Sequence, residues 1–199
     1  MGCLKNVIRS VFLTLAIIGF LSIGGKDLIG GMIENYFHPS QEKMMERAMK
    51  VGDFSRINEE FEIEKAAGIM GYNAVIAEHK ASGQKMFVVD AKDKKIITAE
   101  DIKSDNAEEK LQNALKKIKY QALSVEDLKV TKHGTINSYG KDAPYVKFEA
   151  KVKKLPIGDV GGIISVVDTK DGEQRILISA NEKSKYSQLI SDEFFRKIK

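Results

Sequence analysis

The chain of 199 residues has one cysteine, three prolines, three histidines and no tryptophan. A lone cysteine cannot pair within its own chain, so a disulfide scaffold is excluded. The histidines, His38, His79 and His133, stand far apart and no Cys pair exists, so the ligand spacings of a zinc site are missing. Charge of one sign is also scarce: 32 Lys+Arg oppose 28 Asp+Glu. Lys5 and Arg9 are the only charged residues of the first twenty-five, so residues 26–199 carry 30 cations against 28 acids. A near-neutral chain of mixed sign gives no electrostatic case for nucleic acid. With 43% of residues hydrophobic, the chain is too apolar to be disordered. Internal repeats and low-complexity tracts are absent.

One long apolar run is present. Ser10–Gly25 (SVFLTLAIIGFLSIGG) carries sixteen residues without a charge, between Arg9 and the pair Lys26-Asp27. A helix over these covers about 24 Å, short of a hydrocarbon core of about 30 Å. Adding Val7 and Ile8, with Arg9 snorkelling outward, gives a helix over residues 7–25 that spans. Cations ahead of the run predict residues 1–6 as a short cytoplasmic tail and an extracytoplasmic C-terminal part. Two readings compete. A cleaved signal peptide would end near Gly24/Gly25, where Ser22-Ile23-Gly24 offers a small-x-small site but no Ala-x-Ala. The length of the run favours the uncleaved signal anchor. Cys3 precedes the run, where a bacterial lipoprotein cysteine would follow it, and Asn6 stands where an acylation start wants Ser or Thr.

Residues 26–39 read as a juxtamembrane linker, with Gly30-Gly31 and His38-Pro39 discouraging helix. The domain is predicted over 40–199. Ser40 is placed to cap a helix over Gln41–Val51 with Met44, Met45, Ala48 and Val51 as its apolar stripe and Glu46–Lys50 as an i,i+4 pair; Gly52 stops it. Alternation in EFEIEK predicts a strand at Phe61 and Ile63. Tyr72–His79 and Lys85–Ala91 flank a hairpin turn. Asp105 and Glu108 are spaced as a capping box for a helix to Lys119, with Ala107, Leu111, Ala114, Leu115 and Ile118 on one side and lysines in its last turn. Leu128–Val130 and Thr135–Asn137 read as short strands. Pro144–Val152 alternates cleanly, with Val146, Phe148, Ala150 and Val152 opposite Lys147, Glu149 and Lys151. Gly162–Asp168 and Arg175–Ala180 flank Asp171-Gly172, a strong hairpin signal. A last helix, about Ser184–Ile198, spaces Tyr186, Ile190, Phe194 and Ile198 four apart, with Leu189 and Phe195 beside them.

The expected architecture is an α+β fold: an antiparallel sheet of about six to seven strands with packed helices, preceded by one N-terminal transmembrane helix. The mid-chain helix Asp105–Lys119, the strand in GKDAPYVKFEAKV, the Asp171-Gly172 hairpin and a terminal helix ending in Phe194-Phe195 follow an order that resembles the PsbP-like fold, which includes DcrB-type envelope proteins. The resemblance covers residues 40–199 as topology. It implies a small binding or accessory domain without chemistry of its own, and it carries over no site residue.

Motifs of chemistry end as near-misses. Gly134–Lys141 resembles a phosphate loop but has five residues between its glycines and Asp142 where the magnesium-binding hydroxyl belongs; a β-turn accounts for it. Asp168–Gly172 lacks the alternating oxygens of a calcium loop. No nucleophile elbow occurs, and no His groups with a Ser and an Asp. The acids Glu59, Glu60, Glu62 and Glu64, and Glu108 with Glu109, read as solvated faces and caps. Tyr145 shares a strand face with Lys147 and Lys151, but Glu149 interrupts it, so no nucleic-acid platform forms. Met44 and Met45 read as core rather than an adaptable binding surface.

No catalytic, cofactor-binding or metal-binding residue is therefore assigned, and no cofactor is called for. The expectation is a single-pass envelope protein, N-terminus cytoplasmic, whose partners are the membrane through residues 7–25 and a protein or small ligand at the exported domain. The alternatives are a secreted domain released near Gly24/Gly25 and an envelope enzyme with a site assembled from dispersed residues.

Overall fold

The structure, a computed structural model, describes residues 41–69, 72–90, 97–116, 125–152 and 159–199. The expected tail, anchor and linker lie outside the described residues. No helix among the described residues is long and apolar enough to cross a membrane.

Seven strands form one sheet, β1 (Phe61–Ile69), β2 (Tyr72–His79), β3 (Gln84–Asp90), β4 (Val125–Ser138), β5 (Lys141–Val152), β6 (Asp159–Asp168) and β7 (Gln174–Glu182), in the order β1-β2-β3-β7-β6-β5-β4. Every neighbouring pair is antiparallel. Among the described residues four helices accompany it: α1 (Gln41–Met49), α2 (Ala99–Lys103), α3 (Ala107–Lys116) and α4 (Gln188–Arg196). The fold is α+β with seven strands. After β3 the chain passes through α2 and α3 to the far edge and returns as a meander, β4 to β7, which closes against β3.

Both faces of the sheet are covered. On one, Phe87, Val146, Phe148, Ile164, Ile176 and Ile178 pack with Ile102, Ala107 and Leu111 of α2 and α3. On the other, Val75, Met86, Ile163 and Leu177 pack with Ala48 and Val51 of the α1 end and Phe194, Phe195 and Ile198 of the α4 end. Burying a side chain of this size contributes about 1.5–3 kcal/mol. Two-sided cover explains why β6 is buried continuously between its ends and shows no alternation. Gly162 permits one close approach: a Cβ there would come within 2.9 Å of the Phe148 ring, its register partner on β5.

Several elements differ from expectation. The two short strands predicted at 128–130 and 135–137 are one strand, β4, bent by register shifts between Glu126 and Lys129 and between Val130 and Lys132. The predicted capping box at Asp105 does not operate through Glu108, whose carboxylate accepts instead from Val130 N at 2.8 Å and Gln112 Nε2 at 3.2 Å. A capping box exists one helix earlier, at α2, where Thr98 Oγ1 accepts from Asp101 N and Asp101 accepts from Thr98 N. The lysines expected at 117 and 119 lie outside the described residues, as does Pro156. The terminal helix starts at Gln188 rather than Ser184, because Lys185 N and Tyr186 N both bond Glu182 O in a preceding turn. Met45 is 40% exposed and Leu189 79% exposed, so neither belongs to the stripe assigned to it. Met44, Ala48 and Val51 do face the core, and Glu46 pairs with Lys50 at 3.6 Å.

Candidate functional site

The best-organised polar assembly lies where α1 ends on the sheet. Val51, two residues past α1, turns its carbonyl inward, where it accepts from Tyr139 Oη at 2.7 Å and Arg175 Nε at 2.9 Å. Arg175 stands opposite Asp90 in the β3–β7 register, and its Nη1 reaches Asp90 Oδ1 at 2.9 Å, while Nη2 reaches Glu173 at 2.5 Å. Each of the three guanidinium nitrogens thus donates to a named acceptor, which offsets the cost of its burial. Tyr139 occupies the β4–β5 turn with φ +53°, followed by Gly140 at +69°, the pair of positive dihedrals of a type I′ turn. A tyrosine there is strained; the hydroxyl bond to Val51 and the buried ring offset that strain. Burial pushes the Tyr139 phenol well above its ordinary range, with Arg175 opposing, so it stays a neutral donor. Ile198 and Lys199 close the arrangement: Asp53 N donates to Lys199 O at 2.6 Å, Lys199 N returns to Asp53 O, and Tyr139 N donates to Ile198 O.

A second buried network docks α4. Gln84, fully buried at the start of β3, shares the two N–H groups of Nε2 among Ser179 Oγ, Ser191 Oγ and Ser187 O, all within 3.0 Å, and its Oε1 accepts from Ser187 N at 2.8 Å. Ser191 Oγ donates to Ser179 Oγ at 2.9 Å. A third cluster sits on the β1–β2–β3 side, where the bulge at Glu64 aims its carboxylate at Lys85, 2.7 Å away, and Lys85 also bonds Glu78. Burial raises Glu64 above the usual carboxylate range; at Glu78 burial acts the same way but the Lys85 ammonium outweighs it and the net direction is downward.

None of these assemblies is a nucleophile–base relay. The Tyr139 hydroxyl is spent on a carbonyl, and the buried serines bond one another and an amide. Ser82 and His79 do meet, Oγ to Nδ1 at 2.9 Å, which the sequence reading missed. That contact belongs to the β2–β3 turn, where Ser82 Oγ also accepts from Gln84 N, and the His79 ring packs on Phe61 with centroids 5.2 Å apart. His133 is exposed on β4 opposite Val146, and His38 lies outside the described residues. Among the described residues no group of three or more His, Cys, Asp or Glu is placed to hold a metal ion. Gly134–Lys141 forms part of β4 and a two-residue turn, as the β-turn reading expected, and Asp168–Gly172 leads into the β6–β7 hairpin, where Gly172 takes φ +78°. Tyr145 lies flat against Gly134, whose added Cβ would be 2.5 Å from the ring, so its face is closed to stacking. No protein-family model matches the chain, and a search of the curated proteins finds no match.

Proposed function

We propose that the chain is a single-pass membrane protein, N-terminus cytoplasmic, whose extracytoplasmic α+β domain acts by binding or as a structural accessory and not by catalysis. The observation that carries this reading is the junction between the apolar run and the domain. The sixteen uncharged residues Ser10–Gly25 are followed within fifteen residues by α1, and the end of α1 is fastened to the sheet through Val51 O. A tether joined to a locked helix holds the whole domain near the bilayer, where even a weak partner meets a high effective concentration. The resemblance to the PsbP-like fold points the same way, and the mid-chain and terminal helices packed on an antiparallel sheet support it.

The test is the N-terminal residue and mass of the mature protein in carbonate-washed membranes and in the soluble fraction. An intact chain in the membrane is expected. A soluble chain beginning near residue 25 would replace the anchor with a released domain. The double substitution Ile17→Lys, Ile18→Lys is expected to abolish retention, at about 2.5–3.5 kcal/mol per charge.

A further inference from the structure

The β4–β5 ribbon carries an arrangement that folding alone disfavours. Lys132 and Lys147 are register partners on adjacent antiparallel strands, so their side chains share one face of the sheet. Like charges directly opposite destabilise a sheet. The face is the one that holds Tyr145, since Phe148 and Val146 point the other way into the α2–α3 core. Lys129, paired with Glu149, and Lys151, paired with Glu126, extend the same row, and Lys183 joins it by bonding Glu149 at 2.7 Å. Asp127, in the bulge, lies 3.9 Å from Lys151. Asp159, the register partner of Lys151 on β6, stands in the same row, so five lysines meet four acidic residues, and Lys129, Lys132, Lys151 and Lys183 are exposed. Lys147 is half-buried over the Tyr186 ring, 5.4 Å from its centroid, which fixes its stem beside Lys132.

We infer that this lysine face rests on the anionic phospholipid surface of the bilayer to which the chain is tethered. The inference depends on the tether proposed above. Residues 26–40 span at most about 50 Å, so the ribbon stays within reach of the headgroups. A row of lysines on a sheet suits a diffuse negative field, because ammonium groups act as point charges and ask for no bidentate geometry. Single-stranded nucleic acid fits less well, since Tyr145 is covered by Gly134 and Tyr186 by Lys147, and no ring is left for a base. Near an anionic leaflet each lysine contributes about fivefold to association, and salt screens it.

The full chain in lipid nanodiscs tests this by hydrogen exchange of residues 127–151. Exchange is expected to slow in discs containing phosphatidylglycerol relative to discs of phosphatidylcholine alone, and to recover in high salt. Lys132→Glu is expected to remove most of the slowing while raising the unfolding temperature, because it turns the repulsive pair into an ion pair. Lys132→Gln is a milder variant for the same reading should the reversal perturb folding. Equal exchange in both lipids with the chain in the discs overturns the inference and leaves the tether standing; slowing that survives Lys132→Glu with Lys147→Glu overturns it too. If the chain stays out of the discs the tether reading falls, and flotation on added vesicles decides. Flotation with phosphatidylglycerol vesicles alone keeps the lysine face, and flotation with neither kind removes it.

Discussion

Asp90 and Arg175 stand directly opposite each other on β3 and β7, their charged atoms 2.9 Å apart and only 6% and 5% of the side chains exposed. This pair lies on the seam where the meander β4–β7 closes against the hairpin strands β1–β3, so it joins the two halves of the sheet. A buried ion pair contributes little over well-packed apolar residues, but removing one partner strands the other charge.

Asp90→Ala is therefore expected to destabilise by about 3–5 kcal/mol. The double variant Asp90→Leu with Arg175→Met should cost less than the sum of its single changes, since no buried charge is left alone. Urea unfolding of the four proteins measures the coupling. Additive single costs of under about 1 kcal/mol would show the pair to be idle.

Gly162 makes a second prediction possible. A Cβ at this position collides with the carbonyl oxygen of Ser179 on β7 as well as with the Phe148 ring. Gly162→Ala should cost about 1–3 kcal/mol as an overpacked core. Phe148→Leu should not restore it, because the carbonyl of the neighbouring strand cannot move aside. Denaturation midpoints of the single and double variants check this, and full rescue would put the whole strain on the ring.

The α2 cap makes a third, through pH. Burial would raise the Asp101 carboxyl, but the Lys110 ammonium and the bonds from Thr98 outweigh it, and the folded-state value lies below the unfolded one. A depressed aspartate stabilises the fold above its unfolded range, and that stability is lost as pH falls through the folded value. Asp101→Asn should lower the midpoint at neutral pH and flatten its acid decline. Thermal melts between pH 7 and pH 3 of the two proteins give the comparison, and parallel curves count against the cap.

The most informative local signals concern elements within one turn or one hairpin. The alternation over Pro144–Val152 and the Asp171-Gly172 turn reappear in β5 and the β6–β7 hairpin, and Ile190 and Phe194 form the packed face of α4, with Tyr186 and Ile198 packed just beyond its two ends. A β-turn within Gly134–Lys141 is legible in the sequence, but its placement at Tyr139-Gly140 is not, because tyrosine is no turn former; its positive φ is held by a hydroxyl bond to Val51, 88 residues away. β4 was split in two because its bulges break the alternation that marks a strand. Thr98-x-x-Asp101 has the spacing of a capping box and could have been found, but α2 is only five residues long and carries no periodicity of its own.

What the sequence determined by itself is the inventory: an uncharged run at the start, an α+β domain behind it, strands joined by hairpins and apolar stripes on its helices. These follow from preferences that act over a few residues, where backbone dihedrals and side-chain period decide the outcome. The tertiary structure alone decided the strand order, the closing of β7 on β3, the fastening of Val51 and the pairing of Asp90 with Arg175 across 85 residues. Those choices depend on which faces bury one another once the chain closes on itself, and a buried charge accepts only the partner that the packed sheet brings to it.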